Sequence, residues 1–413
     1  MVKCHICQGN LIPFLSLGKM PAANAFLKKE YLKKKEYLFH LQTGFCENCK
    51  MVQLTELVPY NKYIVPDKEN KTHYAFFSST SKFMEQHFAE FAQDIEKRFL
   101  KKGSQVLEIG SNDGIMLKAF KNHKVLGIEP SWNTAEVARK IGIETLTEFF
   151  TIPLAKQIAQ KRKFKAIVSA NVILNIHDLN EVLEGVKILL EEDGVFVFED
   201  PYIMDILAET AYDQIYDEHI YYFSLTSLSN LLARHDMEIF DAQHQETHGG
   251  SMRVCTARKG KYKLTENVKK VLALEKQKGI DTLKPYQEFA QKVEQSKKEL
   301  VALLTKLKKQ GKKIVGYAAA SKGTIVLNYC NIGPDIVEYI ADSTPEKQGK
   351  FSPGKHIPIV APEVFKKDKA DFALLGAWNH AREIMGKEKE FLARGGRFIV
   401  HTPKAMILEP DKI

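Results

Sequence analysis

The sequence of 413 residues predicts an α/β protein with a small N-terminal module followed by two Rossmann-like domains. Two C-x-x-C pairs mark the N-terminal module, and strand and helix patterns alternate from about residue 100 onward. A second strand, small-residue turn and helix begins at residue 313. A chain of this length can form two or three domains, each with a core of its own.

The N-terminal module carries four of the six cysteines in the chain: Cys4, Cys7, Cys46 and Cys49. Two C-x-x-C knuckles are typical of a tetrahedral Cys4 zinc site, and a pair of redox motifs is the alternative. Four thiolates leave no open coordination position, so we expect the zinc to be structural. Cys255 and Cys330 stand in apolar surroundings, which predicts buried rather than reactive thiols.

The central domain begins with an apolar strand over 105–109 that runs into a turn with two glycines, Gly110 and Gly114. Glycine lets the backbone approach a ligand closely. A second strand over 125–129 ends in Glu129, where an acid can bind ribose hydroxyls. The turn reads E-x-G-x-x-x-G rather than the G-x-G-x-x-G of dinucleotide sites. This form is associated with S-adenosylmethionine (SAM), so the pattern predicts a methyltransferase.

The downstream pattern predicts the seven-stranded sheet that is usual for this cofactor, with further strands at 143–146, 166–170, 195–199, 237–240 and 252–256. An amphipathic helix through about residue 100 precedes the sheet, and a serine or threonine of 78–81 is its expected N-cap. The predicted cofactor-binding residues lie on the glycine turn, after the second strand and at the end of the fourth: Glu108, Gly110, Asn112, Asp113, Gly114, Glu129, Pro130, Ser169, Ala170 and Asn171.

A lysine- and glutamate-rich helical segment over 265–309 leads into the third domain. There a strand, a small-residue turn and a helix over 313–323 precede a second strand over 337–341, which ends before Asp342. The repeat of the first β-turn-α-β pattern is consistent with a second nucleotide-type ligand or with an empty Rossmann turn. We predict domains at 1–70, 71–260 and 261–413.

Three polar segments follow the fifth strand, at 199–202, 216–219 and 248–253. His219 stands beside two acids and close to three tyrosines, and a neighbouring carboxylate can tune an imidazole for general-base work. The turn at His248 is rich in donors suited to an anionic or sugar ligand. Spacing alone, however, favours packing or surface roles for such clusters over catalysis.

The whole chain resembles the sugar C-methyltransferase family, SAM-dependent enzymes that methylate a ring carbon of nucleotide-linked keto-deoxysugars. Besides the cysteine pairs, the resemblance rests on seven motifs: L-E-I-G-S-N-D-G at 107–114, G-I-E-P-S at 127–131, E-x-P-Y at 199–202, Y-x-E-H at 216–219, H-G-G-S at 248–251, G-Y-x-A-A-x-K-G at 316–323 and D-x-x-P-x-K-Q-G at 342–349.

The resemblance implies that the zinc domain helps to enclose the active site, the middle domain binds SAM and the third domain helps to hold the nucleotide-sugar. It also implies that His219 removes the proton alpha to a 4-keto group, giving an enolate that attacks the methyl group of SAM. Tyr216 and Glu218 are then hydrogen-bond partners of the base and the substrate. The predicted substrate-binding residues are Tyr202, Tyr222, His248, Ser251, Arg253 and Lys322.

Two positions depart from the family pattern. Asn175 stands where the family motif N-V-x-x-H has its histidine, and His177 lies two positions on, so its side chain points in another direction. Phe76 stands where a tyrosine is expected, two residues before the serine pair. Both departures leave His219 in place. They leave open which sugar is the substrate and which carbon is methylated.

The composition, 44% hydrophobic and 27% charged, is ordinary for a soluble globular protein. No run of about 18 apolar residues and no signal-peptide core occurs, so we expect a cytoplasmic protein without membrane contact. The net charge of +9 fits an anionic partner or a lysine-rich surface, and the scatter of the lysines favours the surface.

Two other interpretations stay open. A zinc module, a SAM fold and positive charge also fit an RNA methyltransferase, and D-P-Y at 200–202 is similar to the [DN]-P-P-[YF] motif of amino-group methylation. That motif belongs after the fourth strand rather than the fifth, and no basic stripe with interleaved aromatics supports a nucleic-acid partner. The second is a catalytically altered homologue that binds SAM or a nucleotide-sugar, to which Asn175 and Phe76 point.

Overall fold

The structure, a computed structural model, describes residues 2–62, 65–66, 71–74 and 77–409, so the prediction made at Phe76 lies outside the described residues. The strands are β1 (Leu11–Pro21), β2 (Leu38–Cys46), β3 (Val52–Leu54), β4 (Val65–Pro66), β5 (Thr72–His73), β6 (Gln105–Ile109), β7 (Lys124–Ile128), β8 (Thr145–Leu146), β9 (Phe164–Ala170), β10 (Leu190–Pro201), β11 (Tyr221–Tyr222), β12 (Met237–Gln245), β13 (Ser251–Arg258), β14 (Ile314–Tyr317), β15 (Ile340–Ala341), β16 (Ile359–Val360), β17 (Phe372–Leu375), β18 (Arg397–Val400) and β19 (Met406–Leu408). The α-helices are α1 (Lys82–Phe99), α2 (Trp132–Lys140), α3 (Ile152–Ala159), α4 (Leu179–Leu189), α5 (Ile203–Ala208), α6 (Leu225–Ala233), α7 (Glu266–Gln277), α8 (Lys284–Lys309), α9 (Ser321–Tyr329), α10 (Pro362–Lys367), α11 (Ala381–Lys387) and α12 (Lys389–Ala393).

The N-terminal sheet has the order β1-β2-β3-β11 and is antiparallel. Its last strand comes from the middle of the chain, because β11 pairs with β3 in a register that places Tyr221 opposite Gln53 and Tyr222 opposite Val52. The amide of Leu54 extends this ladder by donating to the carbonyl of Ile220 at 2.8 Å. The segment that follows His219 is therefore part of the sheet that carries the cysteines.

The central sheet has seven strands among the described residues, in the order β12-β13-β10-β9-β6-β7-β8, which confirms the predicted arrangement. Its strands are parallel except that β13 is antiparallel to both of its neighbours. The predicted α1 begins after Ser81, whose hydroxyl accepts from the amide of Met84 at 3.4 Å, as an N-cap does. The carboxyl ends of β6, β7 and β9 meet at one edge, where open α/β sheets bind ligands.

The C-terminal sheet has the order β16-β15-β14-β17-β18-β19, and all its neighbours are parallel except β18 and β19. Strand order reverses between β14 and β17, so their carboxyl ends form the switch-point crevice of a Rossmann-like domain. The strand predicted over 337–341 is shorter than expected. Its first residues, 337–339, lie outside β15, and the amide of Val337 closes the turn before them by donating to the carbonyl of Gly333 at 3.0 Å.

The predicted helical segment over 265–309 forms α7 and α8, which are separated at Gly279, a residue with φ +68°. One apolar core joins the cysteine end of β1 to the central sheet, and a second joins the other half of β1 to α8 and the C-terminal sheet. The N-terminal module thus packs on both larger domains, and the predicted domain boundaries stay a prediction.

Cys255 and Cys330 are buried, which confirms that part of the sequence analysis. Within the described ranges, none of the helices combines the length and the apolar character needed to cross a membrane.

Candidate active site

The sulfur atoms of the predicted metal ligands lie within 4.8 Å of one another, on Cys4, Cys7, Cys46 and Cys49. Two side-chain amides donate to this cluster: Gln53 Nε2 to Cys4 Sγ at 3.0 Å and Asn48 Nδ2 to Cys7 Sγ at 3.3 Å. Such donors stabilise thiolate charge and orient the ligands around a metal ion. The donor set and its compactness fit a tetrahedral structural zinc site.

The glycine turn after β6 is shaped by close backbone approach. Gly110 has φ +71°, and a Cβ at this position would lie 2.4 Å from a methyl carbon of Val172. Gly114 has φ +78°, and its Cβ would lie 3.0 Å from that of Ala138 on α2. Larger residues would fill the crevice at the end of the sheet, so both glycines are required by this turn.

Three buried carboxyl groups surround the turn. Glu129 accepts the amide of Ser131 at 2.8 Å on one oxygen and the amide of Asn112 at 3.0 Å on the other. One oxygen each of Glu108 and Asp113 has no hydrogen-bond partner among the described residues. Burial, followed by the charges of Asp113 and Glu129, raises the pKa of Glu108. Buried acceptors of this kind fit a ligand that is positively charged and rich in donors.

Residues 72–74 and 77–79, which we call the crossing segment, lie along this crevice. The hydroxyl of Thr72 donates to the carbonyl of Pro130 at 2.6 Å, and the amide of Ser79 donates to Asp113 Oδ2 at 2.9 Å. These bonds attach residues before α1 to both ends of the predicted cofactor site.

The end of β9 forms another wall of the crevice, through Ser169, Ala170 and Asn171. The Ser169 hydroxyl is turned inward and donates to the carbonyl of Ile109 at 2.9 Å. Asn171, at φ +55°, donates from Nδ2 to His248 Nε2 at 2.6 Å. The end of the strand therefore links the cofactor crevice to the turn at His248.

His219 is buried and both of its ring nitrogens have partners. Nδ1 lies 3.0 Å from the carbonyl oxygen of Gln214, and Nε2 lies 2.5 Å from the hydroxyl of Tyr216. Because a carbonyl oxygen can only accept, the hydrogen of the neutral ring is inferred to be on Nδ1. Burial lowers the pKa of His219, and the charges of Lys322 and His248 lower it further. The lowered pKa favours the neutral ring, whose lone pair is then on Nε2.

The two acids before His219 are held by the N-terminal module and by the crossing segment. Asp217 accepts the amide of Ala23 at 2.9 Å. Glu218 accepts Asn24 Nδ2 at 2.5 Å on one oxygen and the hydroxyl of Tyr74 at 2.8 Å on the other. Burial raises the pKa of both carboxyl groups. Sequence adjacency could not have revealed Asn24 or Tyr74 as partners of this pair.

The C-terminal domain contacts the same region at Asp213, a residue that the sequence analysis did not single out. Trp378 Nε1 donates to Asp213 Oδ2 at 2.8 Å, and His401 Nε2 lies 3.4 Å from Oδ1. Both partners follow strands of the C-terminal sheet, and Asp213 directly precedes Gln214, whose carbonyl orients the ring of His219. The sequence signal that could have indicated this contact is the presence of Trp378 and His401 after the ends of β17 and β18.

The turn at His248 connects the base, the cofactor crevice and the C-terminal domain. Its carbonyl accepts Gln214 Nε2 at 2.6 Å and the ammonium group of Lys322 at 3.3 Å. The ring of Trp378 packs against the next residue, Gly249. The predicted residues His248 and Lys322 therefore lie together near His219.

Other predicted substrate-binding residues have structural partners. Tyr202 donates from its hydroxyl to Glu275 Oε1 at 2.7 Å. Arg253 is opposite Glu199 in the register of β10 and β13, and its Nε and Nη2 donate to Glu199 Oε2 at 3.0 and 2.8 Å. The guanidinium group is thus neutralised inside the sheet.

Ser251 also bonds within the protein, to the carbonyl of Thr247 at 3.0 Å. The hydroxyl of Tyr222 is buried and has no partner in the described part of the chain. Asn175, at the departure from the family motif, donates to the carbonyl of Asn171 at 3.3 Å. Its buried Oδ1 has no partner within the ranges described above, so it remains available to a donor. The substrate roles of these residues stay predictions.

Comparison with known proteins decides the family. Residues 4–63 match a zinc binding domain, 83–241 a methyltransferase domain and 246–403 a C-methyltransferase C-terminal domain. The chain is 33% identical over 415 aligned residues to the C-methyltransferase NovU of Streptomyces niveus, covering 99% of this chain and 97% of that protein. The chain belongs to the sugar C-methyltransferase family. It is a SAM-dependent C-methyltransferase.

Solved structures of methyltransferases are also similar to part of the chain. Magnesium protoporphyrin IX methyltransferase of Synechocystis PCC 6803 with bound SAM is 11% identical, with a TM-score of 0.33, over 42% of this chain and 79% of that one. The plantazolicin methyltransferase BpumL with bound SAH is 15% identical, with a TM-score of 0.35, over 43% and 85%.

The cofactor of a C-methyltransferase fits the crevice that the structure presents. SAM carries a sulfonium, an ammonium group and two ribose hydroxyls, which complement the unpartnered oxygens of Glu108 and Asp113 and the carboxylate of Glu129. A carboxylate oxygen accepts more than one hydrogen bond, so the two amides that bind Glu129 leave it able to receive ribose hydroxyls.

We predict that Gly249→Ala destabilises this C-methyltransferase by about 1–3 kcal/mol, because the added methyl group overpacks the domain junction. Its Cβ would lie 2.7 Å from Trp378 Cη2 at a φ of +89°. Denaturant unfolding followed by tryptophan fluorescence measures the loss. Gly103→Ala is the matched control, since Gly103 has φ +81° with no atom within 4 Å of the new Cβ. Equal losses in the two variants would show that the contact with Trp378 is unimportant.

Proposed function

We propose that the enzyme methylates a ring carbon beside the ketone of a nucleotide-linked 4-keto-6-deoxysugar, with His219 as the base. The observation that carries this proposal is the setting of the imidazole. A carbonyl oxygen fixes its Nδ1 hydrogen, burial keeps the ring neutral, and the basic nitrogen contacts a tyrosine hydroxyl. Carbon methylation needs such a group, because a C–H bond beside a carbonyl is not nucleophilic until it loses its proton.

In this proposal the C–H bond breaks, the proton passes to Nε2 of His219 and the electron pair moves onto the ketone oxygen. SAM, when bound, supplies an electrophilic methyl group on a sulfonium. Tyr216 gives up its hydrogen bond to Nε2 and is then free to donate to the substrate. Lys322 is the cation next to the His248 carbonyl, and it stabilises the negative charge of the enolate.

The sugar is proposed from the family to which the chain belongs, and the third domain carries a candidate site for its nucleotide. A narrow cleft lies at the switch point of the C-terminal sheet. Its walls are mostly apolar and include Tyr317, the turn over 318–320, Gly376 and Phe26 of the N-terminal module. Apolar walls at a switch point suit a nucleobase.

The test is incubation of the enzyme with SAM and a panel of 4-keto-6-deoxy nucleotide-sugars, followed by mass spectrometry. We expect one sugar to gain a single methylene unit, with an equal amount of S-adenosylhomocysteine released. Release of S-adenosylhomocysteine with RNA but with none of the sugars would contradict the proposal and favour nucleic-acid methylation. The His219→Asn variant serves as the inactive control.

A second expectation concerns the protonation of His219. Its pKa is lowered by burial, so the ring is expected to keep its neutral Nδ1–H form as the pH falls through 6.5, the ordinary value of histidine. Lys322 and His248 act in the same direction, and Asp213 opposes them. As the pH falls, the unfolded chain binds a proton at this histidine before the folded chain does. His219 therefore lowers the free energy of unfolding as the pH falls below 6.5.

Imidazole ¹⁵N chemical shifts measured against pH would follow this ring directly, with its signals assigned by their absence in His219→Asn. A midpoint at or above pH 6.5 would contradict the expected direction.

A further inference from the structure

Tyr74 is attached by its backbone to the helix that begins beside the cofactor site. Its amide donates to Asn133 Oδ1 at 3.0 Å, and Asn133 Nδ2 donates back to its carbonyl at 2.9 Å. Two residues earlier, the Thr72 hydroxyl accepts the amide of Trp132 at 3.1 Å. These bonds fix Tyr74 to the first turn of α2, three and four residues beyond the carboxylate Glu129.

The side chain of Tyr74 points to the other half of the active site. Its hydroxyl donates to Glu218 Oε2 at 2.8 Å, while Asn24 Nδ2 donates to the opposite oxygen at 2.5 Å. The two donors come from separate segments of the chain, and together they determine both the position and the rotation of the carboxyl group. Glu218 directly precedes His219, so a displacement of this carboxyl group would also shift the proposed base.

The same contacts indicate which of the two adjacent acids is charged. Both oxygens of Glu218 accept hydrogen bonds from donors, an arrangement that favours the carboxylate form. One oxygen of Asp217 has a donor in Ala23, and the other has no partner among the residues described here. Two buried neighbouring carboxyl groups avoid carrying two charges. The proton therefore lies on Asp217 and the charge on Glu218.

We propose that Tyr74 is a positioning residue for methyl transfer, and that its hydroxyl holds the Glu218 carboxylate in its working orientation from the cofactor side. This inference rests on the proposed function, since it assigns a role beside the base of that reaction. Tyr74 acts through Glu218, so removing its hydroxyl should slow turnover while leaving the affinity for SAM unchanged. Replacing a tyrosine that merely packs with phenylalanine would leave turnover unchanged.

The experiment is a double-mutant cycle of Tyr74→Phe and Glu218→Gln, measured on the active sugar of the panel. A hydrogen bond to a charged group predicts that Tyr74→Phe lowers kcat about 10- to 100-fold. KM and the calorimetric SAM affinity should stay within about threefold. In the Glu218→Gln background the same change should have almost no further effect, because the group through which it acts is gone.

The pH profile supplies a readout that altered packing would not move. Loss of the donor raises the pKa of Glu218, so the acid limb of kcat/KM in Tyr74→Phe should move to higher pH. Tyr262→Phe is the matched control. Its hydroxyl donates at 2.8 Å to the carbonyl of Asp193, at the opposite end of the central sheet, and its loss should leave kcat unchanged.

Additive effects in the cycle, or an unshifted acid limb with full kcat in Tyr74→Phe, would overturn the proposal. The free energy of unfolding can be measured on the same set of variants without any substrate. That measurement decides whether Tyr74 and Glu218 are coupled at all. If the wild-type enzyme methylates none of the sugars, the proposed function fails and the catalytic part of this inference fails with it. An absence of coupling in unfolding alone would overturn the contact with Glu218 and leave the proposed function standing.

Discussion

Replacing His219 with asparagine should lower kcat for methyl transfer by about 10²- to 10⁴-fold, the range that general-base catalysis contributes. Asparagine can still donate an amide hydrogen to the Gln214 carbonyl, so the local backbone should keep its course. It has no basic nitrogen to receive the substrate proton. The cofactor crevice lies at other residues, so SAM affinity should stay near the wild-type value.

Methyl transfer and calorimetric SAM affinity measured on the same preparations test this expectation. His40→Asn is the control, because His40 is an exposed imidazole that contacts the Ser16 hydroxyl at 2.8 Å on the N-terminal sheet. It should retain full activity. A His219→Asn enzyme that turns over at the wild-type rate would remove His219 from the role of base.

Loss of the metal from the four-cysteine cluster should cost the enzyme both stability and activity. Structural zinc sites in small domains are worth about 10–16 kcal/mol of apparent folding free energy. Here the loss should extend beyond the cluster, since Gln53 joins Cys4 to β3, and β3 pairs with β11 directly after the base. We expect Cys46→Ser to bind less zinc, to melt at a lower temperature and to lose methyl transfer.

Elemental analysis of protein purified without chelator should find one zinc per chain. Cys255→Ala is the control for loss of a buried thiol, because Cys255 lies in the central sheet away from the cluster. It should keep its zinc and lose less stability. Wild-type protein without bound metal, or a Cys46→Ser variant with unchanged melting temperature and activity, would refute the expectation.

The cofactor half of the site could be predicted because its residues are close together in the sequence. Gly110 and Gly114 stand within one turn, and the strand that ends directly before Glu129 is the next in the sheet. Strand periodicity and the glycine spacing are local signals, and local signals determine where neighbouring parallel strands end. The strands themselves were predicted from the same alternation, and their seven-stranded arrangement from what is usual for this cofactor.

The substrate half could be predicted only in part, because its contacts join distant segments. Nothing near Glu218 in the sequence points to Asn24 or Tyr74. Arg253 was predicted as a substrate-binding residue, and the antiparallel register of β10 and β13 places it opposite Glu199, which pairs with its guanidinium group. Register is a property of the folded sheet, so single-sequence patterns could not reveal this pairing.

The placement of β11 limits how enzymes of this kind can be recombined. Tyr221 and Tyr222 supply the final strand of a sheet that otherwise belongs to the first 54 residues. A central fragment freed of its N-terminal module would display unpaired backbone groups immediately after the imidazole, which invites edge-to-edge aggregation. Chimeras between relatives should therefore exchange the metal-bearing module together with the two tyrosines that it pairs with.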